Sequence, residues 1–163
     1  MKQLRIGIIG LGEHGVRSHV KHLLKMENVV IVRYFDPGEN VDTSCFKAVS
    51  NKPINSTFEE ILSDVSVHVV FICSPDKYHA EQMLKCVEAG KHVFCEKPMA
   101  VSFDDKHTLQ KALDLASAKG LQISSCHPRR FDNPFVWLKK KLTDNKWVEE
   151  SFGTITDFNF DFW

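Results

Sequence analysis

Three glycines lie close together near the amino terminus, in the segment Gly10-Leu11-Gly12-Glu13-His14-Gly15. The segment follows an apolar run at residues 4–9 that is typical of a strand, and it precedes a stretch with helical periodicity. In this context the first glycine allows a tight turn, the second lets a phosphate approach the backbone, and the third lets the helix pack close to the strand. The N–H groups and the dipole at the start of the helix attract an anion. The spacing therefore predicts a pyrophosphate-binding loop.

An acidic residue, Asp36, follows Gly15 by 21 positions and ends a second predicted strand, Val29–Phe35. Its carboxylate can accept hydrogen bonds from both hydroxyls of an adenine ribose, whereas the 2′-phosphate of NADP would meet a like charge. An alternative interpretation is that the glycines form a plain strand–helix turn and that Asp36 only begins the turn before Pro37. We predict a dinucleotide site that favours NAD, with NADP less favoured, built from Gly10, Gly12, Glu13, His14, Gly15 and Asp36.

A second polar motif, Glu96-Lys97-Pro98, follows the short apolar run His92–Cys95. A lysine at the end of a buried strand can contact a substrate oxygen and take part in proton transfer. From the residues alone, the motif is more simply explained as a solvated turn with an ion pair.

Short apolar runs alternate with amphipathic stretches over residues 1–126, which predicts an α/β fold with a doubly wound parallel sheet of the Rossmann type. The predicted strands are residues 4–9, 29–35, 67–73, 92–95 and 121–126. The predicted helices are residues 16–26, 45–51, 57–63, 77–89 and 102–119, the last with Ser102 as its cap.

The pattern changes after Cys126, where residues 134–144 predict a helix and residues 153–163 alternate like a half-exposed strand. We predict that residues 127–163 form a linker helix and the first strand of an incomplete α+β domain. This strand has no predicted partner in the sequence, so we expect a truncated chain, or a strand that pairs with another copy or another protein.

The bulk composition argues against several classes of partner. Lys plus Arg and Asp plus Glu both number 21, so the formal charge is zero, and nothing favours nucleic acid or an anionic membrane. No apolar run approaches the ~20 residues of a membrane span. Five cysteines without a CxxC pair predict a reduced, cytoplasmic protein. His14, His19 and His22 lie near one another, but we find no acid or cysteine to complete a ligand set and predict no metal site.

Four segments together resemble the Gfo/Idh/MocA family, named for glucose–fructose oxidoreductase, inositol dehydrogenase and rhizopine catabolism. Residues 90–100, which read GKHVFCEKPMA, are similar to its Gly-Lys-His and Glu-Lys-Pro signature. Residues 12–19 resemble its glycine loop followed by a histidine, residues 73–79 its Thr-Pro-Asn loop, with Asp76 in place of Asn, and residues 127–132 its Arg-Arg-Phe-Asp stretch.

The resemblance implies an NAD-dependent oxidoreductase that transfers hydride between a nicotinamide and an alcohol of a sugar, cyclitol or sugar nucleotide. It implies that Lys97 contacts the substrate hydroxyl as the catalytic residue and that Glu96 lies beside the nicotinamide. It further implies that Ser74 and Pro75 shape a loop over the cofactor, that Arg130 lies near its nicotinamide end, and that the bond before Pro98 is cis. A homo-oligomer formed through the C-terminal strand is also implied.

The family builds its substrate pocket from a second domain, which also carries its catalytic Asp and His pair. The resemblance identifies residues 127–163 as the beginning of that domain, without the pair, so we expect little or no turnover from this chain alone. One alternative function is a dinucleotide-binding module or redox sensor without catalysis. Another is a nucleoside-binding methyltransferase, which would bind S-adenosylmethionine and would not need the Glu-Lys-Pro motif.

Overall fold

The computed structural model describes residues 3–39, 41–47, 51–144, 146, 148 and 150. The chain divides into two compact units, Met1–Cys126 and His127–Trp163. The strand predicted at residues 153–163 lies outside the described residues.

Six parallel strands form one sheet in the first unit, in the order β3-β2-β1-β4-β5-β6. This is the strand order of the doubly wound dinucleotide-binding fold, and it confirms the predicted fold class. The runs predicted at Val29–Phe35 and His92–Cys95 form strands with those bounds. The strands are β1 (Leu4–Ile9), β2 (Val29–Phe35), β3 (Ile54–Asn55), β4 (Val69–Ile72), β5 (His92–Cys95) and β6 (Ile123–Ser125).

The helices of the first unit cover both faces of the sheet. Helix α1 has three consecutive parts: an α-helical turn at Glu13–Gly15, a π-helical stretch at Val16–Val20 and a further α-helical turn at Lys21–Leu23. The others are α2 (Phe58–Ser63), α3 (His79–Glu88) and α4 (Phe103–Lys119), and short 3₁₀ turns lie at Ser44–Phe46 and Asp76–Tyr78.

The prediction of a helix at residues 16–26 was wrong in its first residue, in its last residue and in the type of helix. The helix begins at Glu13, directly after the second glycine, and its last helical residue is Leu23. Two tight turns end it, because the backbone N–H of Met26 bonds to the carbonyl of Leu23 and that of Val29 bonds to the carbonyl of Met26. Periodicity detects the apolar face of such a segment but does not distinguish the π-helical part, whose bonds span one residue more.

Two apolar clusters pack on opposite faces of the sheet, as the alternation of side chains along β4 shows. Val70 and Ile72 belong to one cluster with α2, α3 and α4, whereas Phe71 packs against the other, with α1 and β1. Strands buried on both faces read as continuous apolar runs, which is why the sequence predicts them well.

Lys91, the lysine of the Gly-Lys-His segment, lies directly before the first residue of β5. Lys91 is buried, and its ammonium donates hydrogen bonds to the carbonyl oxygens of Asp64 at 2.6 Å and Val67 at 3.1 Å. Burial lowers the pKa of Lys91, and the nearby Asp64 charge opposes that shift. Lys91 thus fastens the loop before β4 to β5, away from the strand ends that carry the polar motifs.

The second unit contains a 3₁₀ turn at Pro128–Phe131 and helix α5 at Asn133–Leu142, close to the helix predicted at residues 134–144. Among the residues the structure describes, no helix is both long enough and apolar enough to cross a membrane.

Candidate functional site

The carboxyl ends of four parallel strands bring the predicted polar motifs to one edge of the sheet. Gly10 follows β1, Asp36 follows β2, Ser74 lies just beyond β4, and Glu96 follows β5. The strand order reverses direction between β1 and β4, and open α/β sheets bind their ligands in the crevice at such a point.

Gly10 lies where three strand ends meet and has no room for a side chain. Its φ is +88°, and a Cβ atom there would lie 2.7 Å from the carbonyl carbon and oxygen of Cys73 and from the backbone nitrogen of Ser74. A Cβ on Gly15 would approach the Cβ of Cys73 and the carbonyl oxygen of Gly10 to 3.0 Å. These two glycines are therefore required by the packing of the loop itself.

Gly12 is different, because nothing in the protein requires a glycine at this position. Its φ of −61° and ψ of 165° suit any residue, and a Cβ would meet no atom within 4 Å. The residue is exposed at the start of α1, where free N–H groups point outward. The open space above Gly12 is where a phosphate group could approach the backbone.

Asp36 uses both carboxylate oxygens to order the loops around it. Oδ2 accepts a hydrogen bond from the backbone N–H of Leu11 at 2.7 Å, and Oδ1 accepts one from the N–H of Gly38 at 2.9 Å. The acid thus ties the glycine loop to the turn after β2. The same carboxylate borders two cavities, one on each side of it.

The first cavity joins the glycine loop to the loop after β4. Ser74 and Pro75 line it, and their role as a loop over the cofactor stays a prediction. It is lined by Ile9, Gly10, Gly12, Phe35, Asp36, Pro37, Gly38, Cys73, Ser74, Pro75, Tyr78 and Gln82.

The second cavity contains two cations that the sequence analysis missed. Arg17 and Lys21, from α1, line it together with Asp36 and Asp42. No local signal places them beside Asp36, because they come from the preceding helix. Arg33 is not available to a ligand of this kind, since it pairs with Asp64 at 2.6 Å and hydrogen bonds to Ser56.

Glu96 is buried, with 6% of its surface exposed, and accepts three hydrogen bonds. Nε2 of His19 lies 2.5 Å and Nε2 of His14 lies 3.1 Å from Oε1, and the backbone N–H of Lys97 lies 3.1 Å from Oε2. Burial alone would raise the pKa of Glu96, but the bonds from His19, the Lys97 N–H and His14 outweigh it and lower the pKa to about 2. The carboxylate is therefore a fixed anion at the strand end.

This cluster corrects one inference from the sequence, since Glu96 supplies the acid that was not found near His14 and His19. Bonds of about 2.0–2.2 Å to a tetrahedral zinc ion place its donor atoms about 3.3 Å apart. The 2.5 Å and 3.1 Å contacts to one carboxylate oxygen are shorter and match hydrogen bonds. As it stands, the cluster is a hydrogen-bonded network that connects α1 with the segment after β5.

His19 occupies the inner end of this network and packs against two aromatic rings that stack on each other. Its ring centroid lies 5.3 Å from that of Phe94 and 6.0 Å from that of Phe71, both in edge-to-face geometry. It belongs to the π-helical stretch Val16–Val20. Single-turn π stretches inside helices occur frequently at functional sites.

Lys97 is exposed at the sheet edge, and the Lys97–Pro98 peptide bond is cis, as the resemblance implied. The carbonyl of Pro98 contacts Nδ1 of His79 at 2.7 Å, and the carbonyl of Ser74 contacts Nε2 of the same ring at 2.8 Å. His79 lies at the start of helix α3. It is buried there, and it also joins the two loops.

The thiols near the site are free cysteines with raised pKa values. Burial, reinforced by the charge of Glu96, raises the pKa of Cys73 to about 12, and the same two causes raise the pKa of Cys95 to about 12. Thiols of this kind are poor nucleophiles at neutral pH. Arg130 lies in the second unit, in the turn Pro128–Phe131, and its role toward a cofactor stays a prediction.

The glycine loop between β1 and α1, the acid after β2 and the strand order together define a dinucleotide-binding Rossmann domain. The chain belongs to the GFO_IDH_MocA oxidoreductase family, whose model, described as an oxidoreductase family with an NAD-binding Rossmann fold, matches residues 4–126. This membership argues against the methyltransferase alternative.

The relatives include dehydrogenases of inositols. The chain is 29% identical over 156 residues to scyllo-inositol 2-dehydrogenase (NADP(+)) IolW of Bacillus subtilis, covering 96% of this chain and 40% of that protein. It is 28% identical over 139 residues to myo-inositol 2-dehydrogenase of Thermotoga maritima, covering 85% and 40%. The structure of scyllo-inositol dehydrogenase from Lactobacillus casei with bound NAD(H) and scyllo-inositol matches with a TM-score of 0.76 and 26% identity, over 89% of this chain and 42% of that one. The chain thus spans about 40% of the length of these relatives.

Proposed function

We propose that the carboxyl edge of the sheet binds NAD(H) and that the chain is the cofactor-binding part of a dehydrogenase acting on a cyclitol or sugar alcohol. The relatives named as inositol dehydrogenases support the substrate class. We further propose that residues 127–163 begin the substrate domain, and that the 163-residue chain by itself has little or no turnover.

The observation that carries the proposal is Gly12. Gly10 and Gly15 are explained by packing, but the backbone of Gly12 is ordinary and its Cβ position is open. A glycine that the fold does not need, at the amino terminus of a helix, is explained by a ligand that approaches the backbone there. The neighbouring cavity, which Asp36 and Ser74 both line, would receive the rest of a dinucleotide.

The polar residues at this edge fit a dinucleotide in charge and position. The N–H groups that follow Gly12 would hold the pyrophosphate, and Asp36 would accept hydrogen bonds from the adenine ribose. NAD, when bound, supplies the hydride acceptor of the reaction. Lys97 would hold the substrate hydroxyl and take part in moving its proton, while the Glu96 carboxylate fixes the backbone N–H of Lys97 at 3.1 Å.

Preference for NAD over NADP is supported by the negative charge of Asp36 beside both cavities. Arg17 and Lys21 act in the opposite sense, because they could neutralise a 2′-phosphate in the second cavity. We propose that Asp36 dominates, since its two hydrogen bonds hold the carboxylate in place.

The direct test is a titration of the 163-residue chain with NADH, followed by fluorescence and calorimetry. The Gly12→Ala variant should melt at the same temperature as the wild type, because the added Cβ meets no protein atom, yet bind NADH at least about tenfold more weakly, a loss of about 1.4 kcal/mol. The Gly120→Ala variant is the matched control. Its Cβ is also unobstructed, but its φ is +67° at the end of α4, so it should lose stability and keep its NADH affinity.

Wild-type protein that is folded but does not bind NADH would contradict the proposal for this chain. Unchanged NADH affinity in Gly12→Ala would remove the observation on which it rests.

A further inference from the structure

His79 lies at the first position of α3 with 1% of its surface exposed, and each ring nitrogen contacts a backbone carbonyl oxygen. Nδ1 is 2.7 Å from the oxygen of Pro98, directly after Lys97, and Nε2 is 2.8 Å from the oxygen of Ser74, in the loop after β4. One side chain therefore connects the loop that lines the proposed cofactor cavity with the segment that carries the proposed catalytic lysine.

A carbonyl oxygen can only accept a hydrogen bond, and a neutral imidazole has only one N–H group. Both contacts are hydrogen bonds only when both ring nitrogens carry a proton. In a neutral ring, one nitrogen lone pair would face an oxygen lone pair at under 3 Å in a buried site.

Two other histidines, at the opposite edge of the sheet, each accept a hydrogen bond from a backbone N–H group. Nδ1 of His68 accepts a hydrogen bond from the backbone N–H of Arg5 at 3.2 Å, and Nδ1 of His92 accepts one from the N–H of Gln122 at 3.0 Å. In each, Nδ1 must carry a lone pair, so the ring is neutral with its proton on Nε2.

We propose that His79 is a doubly protonated imidazolium that acts as a positioning residue, holding the cofactor loop at Ser74 against the lysine-bearing segment at Pro98. The inference rests on the proposed function, since it concerns the same cofactor and the same lysine. A hydrogen bond from a charged donor is roughly twice as strong as a neutral one, which offsets part of the cost of burying the cation.

The segments that contact the ring carry one more acid than base. Three acids and two lysines lie in the turn before α3, in the first turn of α3 and in the segment before Pro98. The Cys73 thiol beside Ser74 stays uncharged because burial raises its pKa to about 12. The charged residues are Asp76, Lys77, Glu81, Glu96 and Lys97.

The first experiment uses wild-type protein labelled with ¹⁵N and a two-dimensional spectrum that correlates ring nitrogens with ring protons. At neutral pH both nitrogens of His79 should resonate as protonated nitrogens, whereas His68 and His92 should each show one unprotonated Nδ1. The His79 signals are assigned by their loss in His79→Asn. An unprotonated nitrogen in the ring of His79 would overturn the inference.

The second experiment measures NADH affinity in His79→Asn and His79→Gln, which can serve one carbonyl but cannot carry the charge. Both should bind NADH about tenfold more weakly, with the conservative Gln variant recovering part of the loss. His92→Asn, which removes a single backbone contact at the far side of the sheet, should bind NADH like the wild type. Folded His79 variants with wild-type affinity would overturn the positioning role.

The two proposals fail in different ways. If wild-type protein does not bind NADH, the proposed function fails while the His79 spectrum still reports the protonation state. If NADH binds but His79 has one bare nitrogen, only the inference fails. Should neither variant fold, the wild-type spectrum with and without NADH decides, because a positioning ring must shift its signals when the cofactor binds.

Discussion

The carboxylate of Glu96 accepts a hydrogen bond from the ring of His19 across 77 positions of sequence, at a distance of 2.5 Å. One partner lies in α1 immediately after the glycine loop, and the other precedes Lys97. The bond therefore links the helix that follows the glycine loop to the segment that carries the proposed catalytic lysine. Its contribution to the free energy of unfolding can be measured with variants of either residue.

The pH dependence of stability should reveal the Glu96 anion. Because its pKa falls from 4.5 to about 2 on folding, Glu96 stabilises the fold fully above about pH 4.5, and this contribution is lost as the pH falls toward 2. The free energy of unfolding should therefore be higher in wild type than in Glu96→Gln by about 2–3 kcal/mol at neutral pH, with the difference shrinking through that window. Urea unfolding at a series of pH values measures it. Glu59→Gln, at an exposed position in α2, is the control, and a Glu96→Gln difference that does not vary with pH would contradict the assignment.

The two histidines that bond to Glu96 should contribute unequally. His19→Phe keeps the aromatic packing against Phe71 and Phe94 but removes a donor from a buried carboxylate, which should cost about 2–4 kcal/mol. His14→Ala should cost less than about 1 kcal/mol, because 57% of the His14 side chain is exposed. Chemical denaturation of both variants tests this order. Equal costs would mean that the bond to His19 has no special weight.

Gly10 should be the glycine most sensitive to substitution in the folded protein without ligand. In Gly10→Ala, the new Cβ meets the backbone of Cys73 and Ser74 at 2.7 Å with φ at +88°, so the fold must distort. A cost of about 2–4 kcal/mol, or roughly 5–15 °C in Tm for a chain of this size, is expected. Thermal unfolding followed by circular dichroism gives the value, with Gly12→Ala as the undisturbed comparison. A Gly10→Ala melting curve that overlays the wild type would show that the loop can open at little cost.

Asp36 should set the choice between the two nicotinamide dinucleotides. Asp36→Ala removes a charge-assisted acceptor for the ribose and should weaken NADH binding by about 10-fold or more. It also removes the repulsion of a 2′-phosphate and leaves Arg17 and Lys21 in place, so the ratio of NADPH to NADH affinity should rise. Parallel fluorescence titrations with both cofactors measure the ratio. Adding Arg17→Ala should reverse part of the gain in NADPH affinity, and a ratio unmoved by Asp36→Ala would remove this residue from cofactor choice.

Local patterns predicted the parts of the structure that depend on neighbouring residues. Continuous apolar runs gave the bounds of β2 and β5, and the Ser102 cap of α4 is present, with its hydroxyl accepting from the N–H of Asp105 at 3.1 Å. The positions of Gly10, Asp36 and Ser74 at one sheet edge follow from the same logic, since parallel strands align their carboxyl ends.

The missed features depend on distant contacts. No local signal pairs Glu96 with His14 and His19, or places Arg17 and Lys21 beside Asp36, because each contact joins segments that only the fold brings together. The buried position of Lys91 was equally hidden, since its partners are backbone carbonyls and leave no trace in side-chain patterns.

The π-helical stretch in α1 makes the length of this segment as important as its residue types. Each residue advances an α-helix by about 100°, so removing one residue from Val16–Val20 and restoring regular α-helix would turn His19 about a quarter of a turn or more away from Glu96. We therefore expect an insertion or deletion within Val16–Val20 to break the bond between His19 and Glu96. If the helix after Gly15 were built as a regular α-helix, His19 would face residues other than Glu96.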